Sequence, residues 1–262
     1  MKLDDVKKLN LKRYRETLGH FLVEGEHLVL ELQKAAARNP LLRASELYVT
    51  PDYESWRSPF KTHVIGASQM SQVADTKTPQ GIVAVVPILP APPPREGERA
   101  IYLHEIQDPG NLGTILRTLA WFGGLRCLLG PDSVDPYNPK VVRASAGAIF
   151  HTPIETDVAL DRLRERFPRI ACLDMQGEDV RSPQFEAFDC YVFGNEARGV
   201  PREALSALGA KAYSIGGSGA IESLNVASTV SMCVYELDRR GACLTSPSPG
   251  RRRRLRRPSP AP

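Results

Sequence analysis

The chain has 262 residues, 42% hydrophobic and 24% charged, the composition of an ordinary soluble globular protein and enough length for two domains. No apolar run reaches membrane-spanning length, and the opening Met-Lys-Leu-Asp-Asp does not read as a signal peptide, so a cytoplasmic protein is expected. The formal charge of +4 is uneven: Arg251 to Arg254, Arg256 and Arg257 carry +6, which leaves −2 for the rest.

In chain order, Lys2, Lys7, Lys8, Lys12, Arg13 and Arg15 form a first basic cluster, able to hold phosphates by displacing counterions. Glu26 to Ala37 has an amphipathic helical period. Leu47 to Thr50 and His63 to Ile65 read as strands, and Gly81 to Val86 as a buried β run. Residues 1–88 are therefore expected to form a small α/β domain. Pro87, Pro90, Pro92, Pro93 and Pro94 follow, and 89–99 reads as a stiff, solvated linker.

From Ala100 strands and helices alternate. Strands are expected near 100–106, 125–129, 169–174, 190–193 and 212–215, and helices near 111–122, 158–167, 201–208 and 223–239. Such alternation predicts a parallel sheet covered on both faces, with ligands outside the carboxyl ends of its strands. Cys127, Cys172, Cys190, Cys233 and Cys243 show no metal-ligand or disulfide spacing and are expected to be reduced core residues, with no metal site. Residues 241–262, rich in Pro, Ser and Arg, are expected to be a disordered basic tail.

Three strand–helix junctions carry the functional signal. Asp108-Pro-Gly-Asn-Leu-Gly-Thr-Ile-Leu-Arg117 opens one helix, and Phe193-Gly-Asn-Glu-Ala-Arg-Gly-Val-Pro201 opens another. The third is Ile215-Gly-Gly-Ser-Gly-Ala-Ile-Glu-Ser-Leu-Asn225, in which Ser223 is a candidate helix cap. In this order they resemble the three signature motifs of the SpoU (TrmH-type) RNA ribose 2′-O-methyltransferases. Asp135 to Phe150 is similar to that family's intermotif segment, and Phe21 to Gly25 and Thr78 to Ala84 to its amino-terminal domain. The resemblance covers about residues 10 to 240.

It implies an α/β fold in which a parallel-sheet SPOUT methyltransferase domain with a carboxyl-terminal trefoil knot, residues 100–240, follows a small α/β RNA-binding domain. It also implies S-adenosylmethionine as cofactor, RNA as substrate (rRNA ahead of tRNA) and a homodimer packed through the last helix. Arg117 matches the family's catalytic arginine and Asn111 its substrate-positioning partner. Glu196, Ser223 and Asn225 match residues that shape the active pocket, and Gly194, Ile215 and Leu224 positions that line the cofactor, with Leu173 beside its ribose. Guanidinium is almost never deprotonated in proteins, so Arg117 fits phosphate clamping and oxyanion stabilisation better than proton abstraction. One departure is Gly216-Gly217, where the family usually has Pro-Met after the isoleucine.

Other classes fit less well. No G-x-G-x-x-G follows a first strand, and no Gly-Lys-Ser/Thr P-loop is present. The remaining alternatives are a tRNA 2′-O-methyltransferase and an RNA-binding protein on this scaffold that transfers no methyl group.

Overall fold

The computed structural model describes residues 1–195, 198–239 and 241. The amino-terminal part runs α1 (Leu3–Val6), α2 (Lys12–Leu18), β1 (His20–Glu24), α3 (Glu26–Arg38), β2 (Glu46–Val49), β3 (Lys61–Val64), α4 (Ala67–Val73) and β4 (Ile82–Pro87). Its four strands are ordered β1-β4-β2-β3, with β4 antiparallel to both neighbours and β2 parallel to β3. The sequence reading missed α1, α2, β1 and α4 in this part.

The second part runs β5 (Arg99–Leu103), α5 (Pro109–Phe122), β6 (Leu125–Leu129), α6 (Pro139–Ser145), β7 (Ile154–Glu155), α7 (Leu163–Arg166), β8 (Ile170–Asp179), β9 (Cys190–Phe193), α8 (Arg202–Leu208), β10 (Lys211–Ser214) and α9 (Val226–Arg239). Its six strands are all parallel, in the order β10-β8-β9-β5-β6-β7. Strand residues alternate between two buried faces. Ile101 and Leu103 join Leu112, Ile115, Leu116, Leu119, Val230 and Val234 on the α5/α9 side. Ala100 and Tyr102 join Leu128, Cys172, Cys190 and Val192 on the other. Burial on both faces explains why these strands read as continuous apolar runs.

Several boundaries differ from expectation: β5 ends at Leu103 and not at 106, and β8 runs past 174 to Asp179. The helix expected at 158–167 is reduced to a single 3-10 turn, Leu160–Arg162, followed by α7, because Val158 N–H is already committed to the Leu129 carbonyl and Ala159 is extended. The last helix begins at Val226 and not at Ser223.

The two sheets are joined through α6 and its flanks. Val142 and Ile149 are buried in the core of the first sheet, beside Val23, Leu32 and Ala84. Arg15 is also part of this joint. It is 3% exposed, its Nε and Nη2 donate to Asp135 Oδ2 at 2.9 and 2.5 Å, and Nη1 donates to the Leu9 carbonyl. The basic cluster read from the sequence therefore loses Arg15 as a phosphate ligand. Lys7 and Lys8 are paired with Asp4 and Asp5.

On its other side α6 lies directly on α5. A Cβ added at Gly113 would fall 2.4 Å from the Ala144 Cβ and 2.8 Å from the Ala144 carbonyl carbon. Glycine-to-alanine in an exposed helix interior normally stabilises by about 1 kcal/mol. Here the sign reverses: Gly113→Ala must separate two packed helices and should destabilise by about 1–3 kcal/mol, measured by urea unfolding. A stabilised variant would contradict this packing.

Candidate active site at the carboxyl edge of the parallel sheet

The chain runs from β5 through β6 and β7 and then crosses to β8, on the far side of β5. The carboxyl ends of β5 and β9 therefore flank the point where the winding reverses, the usual position of a ligand crevice in such sheets. All three sequence motifs meet this edge.

The loop after β5 enters α5 with Asp108 as cap: its Oδ1 accepts the Asn111 N–H at 2.7 Å, and Pro109 occupies the first turn, where no amide donor is needed. Asn111 is half-buried, and its Oδ1 accepts a hydrogen bond from Asn225 Nδ2 at 2.9 Å. Asn225 is at the same time the cap of α9, its Oδ1 accepting from Ala227 N at 2.9 Å and Ser228 N at 3.2 Å. One asparagine thus starts the last helix and ties it to the first motif. Ser223, expected to be the cap, is exposed and makes no hydrogen bond among the described residues. A second tie lies further along the same helix pair, where the Thr118 and Ser231 hydroxyls are 2.8 Å apart.

Arg117 is on the exposed face of α5 with Thr114 and Trp121. Among the described residues it forms neither an ion pair nor a hydrogen bond, so none of their carboxylates neutralises it. That is the condition expected of an arginine kept for an external anion.

The second motif turns back sharply after β9. Asn195 and Gly199 pair with each other at 3.2 and 2.9 Å, and a Cβ at Gly194 would lie 2.5 Å from the Gly199 carbonyl carbon. Gly194 is therefore required by this close approach. Asn195, buried, donates from Nδ2 to the Glu105 carbonyl at 2.8 Å and accepts from Arg198 N at 3.1 Å, and Arg198 Nη2 reaches the Glu105 carboxylate at 2.6 Å. Asn195, Glu105 and Arg198 staple the second motif to the strand end of the first. None was singled out from the sequence, where Gly194 and Glu196 drew notice in this motif. Glu196 lies outside the described residues.

In the third motif Ile215 packs against the main core, as does Leu173 at the end of the first half of β8. Leu224 is 44% and Ile221 71% exposed. Among the described residues, the backbone from Gly216 to Leu224 makes no hydrogen bond to other backbone groups. A loop whose amides and carbonyls are left unpaired by other backbone groups, with exposed apolar side chains and open space around Gly217, fits an adenosine moiety, whose faces are apolar and whose edges need hydrogen bonds. Of the four residues expected to line the cofactor, Gly194 and Ile215 directly follow β9 and β10, Leu173 lies within β8, and Leu224 lies at the end of the loop before α9.

Elsewhere, Cys127, Cys172, Cys190 and Cys233 are buried free thiols, and burial raises the pKa of Cys172 to about 11 and of Cys127 to about 12. They are inert core groups. Cys243 lies outside the described residues. Among the described residues no three His, Cys, Asp or Glu side chains are grouped to hold a metal ion, and no helix is long and apolar enough to cross a membrane.

Residues 98–235 match the SpoU rRNA Methylase family, and residues 2–84 match the MRM3-like substrate binding domain. The chain belongs to the SpoU rRNA methylase family. It is 32% identical over 242 residues to the 23S rRNA (guanosine(2553)-2′-O)-methyltransferase RlmP of Bacillus subtilis, covering 90% of this chain and 95% of that protein. Among solved structures, a TrmH-family RNA methyltransferase of Porphyromonas gingivalis superposes with a TM-score of 0.77 at 28% identity, over 91% of this chain and 97% of that one. An rRNA methyltransferase of Sinorhizobium meliloti with AdoMet bound gives a TM-score of 0.76 at 26% identity, over 93% and 95%. The SpoU family thus accounts for the enzyme class and for the architecture of a parallel-sheet catalytic part preceded by an amino-terminal layer.

The double duty of Asn225 gives a prediction. Asn225→Ala should cost about 0.5–2 kcal/mol in urea unfolding, the price of a lost cap, and should speed hydrogen exchange at the Ala227 and Ser228 amides. Unchanged exchange at both amides would show that the cap does not form.

Proposed function

We propose that this protein transfers the methyl group of S-adenosylmethionine to a ribose 2′-hydroxyl of ribosomal RNA. The observation that carries the proposal is the Asn225–Asn111 hydrogen bond, which sets the cofactor-type loop of the third motif against the helix that presents the exposed Arg117. The amino-terminal match and the rRNA methyltransferases named above support rRNA over tRNA. In this reading residues 1–88 bind RNA, 89–99 link, 100–240 carry the reaction, and the protein works in the cytoplasm. The trefoil knot belongs to the same proposal, supported by a chain that leaves β10 at one edge of the sheet and returns over β8 and β9 to reach α5. The basic tail, residues 241–262, lies outside the described residues except Gly241.

When bound, S-adenosylmethionine supplies a methyl group on a positively charged sulfur, so the protein itself needs no group-carrying residue. The ribose hydroxyl is a poor nucleophile, and the work left to the protein is to orient it and favour negative charge on its oxygen. Asn111, fixed by Asn225, orients the nucleotide. Arg117, exposed and permanently charged, grips the adjoining phosphate in a planar two-pronged contact and stabilises the developing oxyanion.

Arg117→Ala should therefore lower single-turnover methyl transfer to rRNA from cells lacking this gene by about 10²-fold, as for loss of one oxyanion-stabilising donor. Calorimetric affinity for S-adenosylmethionine should stay unchanged. Arg117→Lys should not restore the rate, because a point ammonium cannot reproduce the fork. Wild-type turnover by folded Arg117→Ala would remove Arg117 from the mechanism.

A homodimer is the second part of the proposal. Trp121 on α5 is 84% exposed, and Met232 and Tyr235 on the outer face of α9 are 47% and 57% exposed, with Tyr235 edge-on to Phe122 at 6.4 Å. Exposed apolar groups gathered on two adjoining helices mark an association surface. A second copy seated there would lie beside Arg117, on the same α5 face. Sedimentation at micromolar concentration should give a dimer, and Trp121→Glu with Tyr235→Glu a monomer; a monomeric wild type contradicts the interface.

A further inference from the structure

Helix α6 has two faces with different partners. Ala144 and Ser145 press on α5 at Gly113, which lies between Asn111 and Arg117 on that helix. One residue earlier, Arg143 points the other way, into the amino-terminal domain. Its Nη2 is 2.8 Å from Asp75 Oδ2, and its Nη1 is 4.0 Å from Glu24 Oε2. Glu24, only 9% exposed at its side chain, in turn accepts the Asp75 and Thr76 amides at 3.1 and 3.3 Å and the Thr76 hydroxyl. The Glu24 carboxylate and the Arg143 guanidinium thereby hold the start of the 75–80 loop, whose Lys77 and Thr78 are exposed to solvent.

The joint is polar and compact. Asn10 Oδ1 and Arg143 Nη1 are both buried with no hydrogen-bond partner among the described residues. Asn10, Glu24, Asp75 and Arg143 line one cavity of about 10 Å³. That is room for a single water, which could satisfy both atoms.

We infer that Arg143 is a positioning residue that sets the angle at which the amino-terminal domain presents RNA to Asn111 and Arg117. The inference rests on the proposed rRNA methyl transfer. Three observations separate this role from general stability. The Arg143 and Asp75 side chains are 33% and 34% exposed, and ion pairs of that kind contribute little to folding. The domains stay attached without the pair, through buried Val142 and Ile149 and through Arg15–Asp135. And α6 touches α5 through backbone and Cβ atoms, a contact that transmits displacement with little slack. Small misplacement of a bound substrate is costly: about 1 Å can reduce rate by about 10²-fold.

The test is a double-mutant cycle on single-turnover rate, using rRNA from cells lacking the gene. Arg143→Met keeps the side-chain stem and removes the charge; Asp75→Asn removes its partner's. Each single variant should lower the rate about tenfold or more, and the double variant should be no slower than the slower single, because both break one coupling. Arg143→Lys should recover part of the rate. S-adenosylmethionine affinity, filter-binding affinity for the same RNA and the unfolding midpoint should stay at wild-type values. A wild-type rate in Arg143→Met overturns the inference, as do additive losses in the double variant. So does a rate that falls only in step with RNA affinity or the unfolding midpoint, since that is the signature of a structural role. Absence of transfer by the wild-type enzyme on this RNA would instead overturn the functional reading on which the inference rests.

Discussion

The sheet order β10-β8-β9-β5-β6-β7 imposes a constraint that organises the rest of the molecule. The chain makes its last strand at the outer edge, beyond β8, yet its last helix packs on α5, the helix that follows β5. Residues 215–225 must therefore run back across the carboxyl ends of β8 and β9. That return path explains why the loop is glycine-rich and short of internal hydrogen bonds: it follows the rim of the sheet and belongs to neither face. It also explains why Asn225 meets Asn111, since the end of the return is the start of α5. The glycine-rich loop and the helix that carries Arg117 are juxtaposed by topology, and two asparagine side chains fix the register.

The same helix, α5, is held from its other side by α6, and the absence of a side chain at Gly113 allows backbone-to-Cβ contact. α6 in turn is shared between two cores, since Val141 belongs to the catalytic side and Val142 to the amino-terminal side. The buried Arg15–Asp135 pair closes the joint at the other end of the intermotif segment. Removing one partner of such a pair leaves an uncompensated buried charge, which costs far more than the intact pair contributes. The amino-terminal layer is therefore built onto the catalytic one as a unit.

Much of this was legible in the sequence, for physical reasons that differ from element to element. Strands β6 and β9 coincide with the apolar runs at 125–129 and 190–193 because both of their faces are buried. The start of α9 was misplaced because Ser223 and Asn225 are equally good caps by residue type, and only the reach of the Asn225 side chain to Ala227 and Ser228 decides between them. Helix α6 escaped notice because it is seven residues long and lies within a segment that reads as polar loop at its start. Arg15 looked like one more positive charge beside Lys12 and Arg13, since nothing local reveals a partner 120 residues away. Asn195, Glu105 and Arg198 form a staple that exists only once β5 and β9 are neighbours. Arg117 is the opposite case: singled out by motif, it stands exposed and without a counterion among the described residues.

The central claim is that an rRNA ribose is the methyl acceptor. It is tested most directly by incubating the protein with rRNA from cells lacking the gene and S-adenosylmethionine carrying an isotopically labelled methyl group, then digesting to nucleosides for mass spectrometry. The account predicts label in one 2′-O-methylated nucleoside, resistant at its 3′ linkage to alkaline hydrolysis and mapping to a single position. Label on a base, label spread over many positions, or none above background would contradict it.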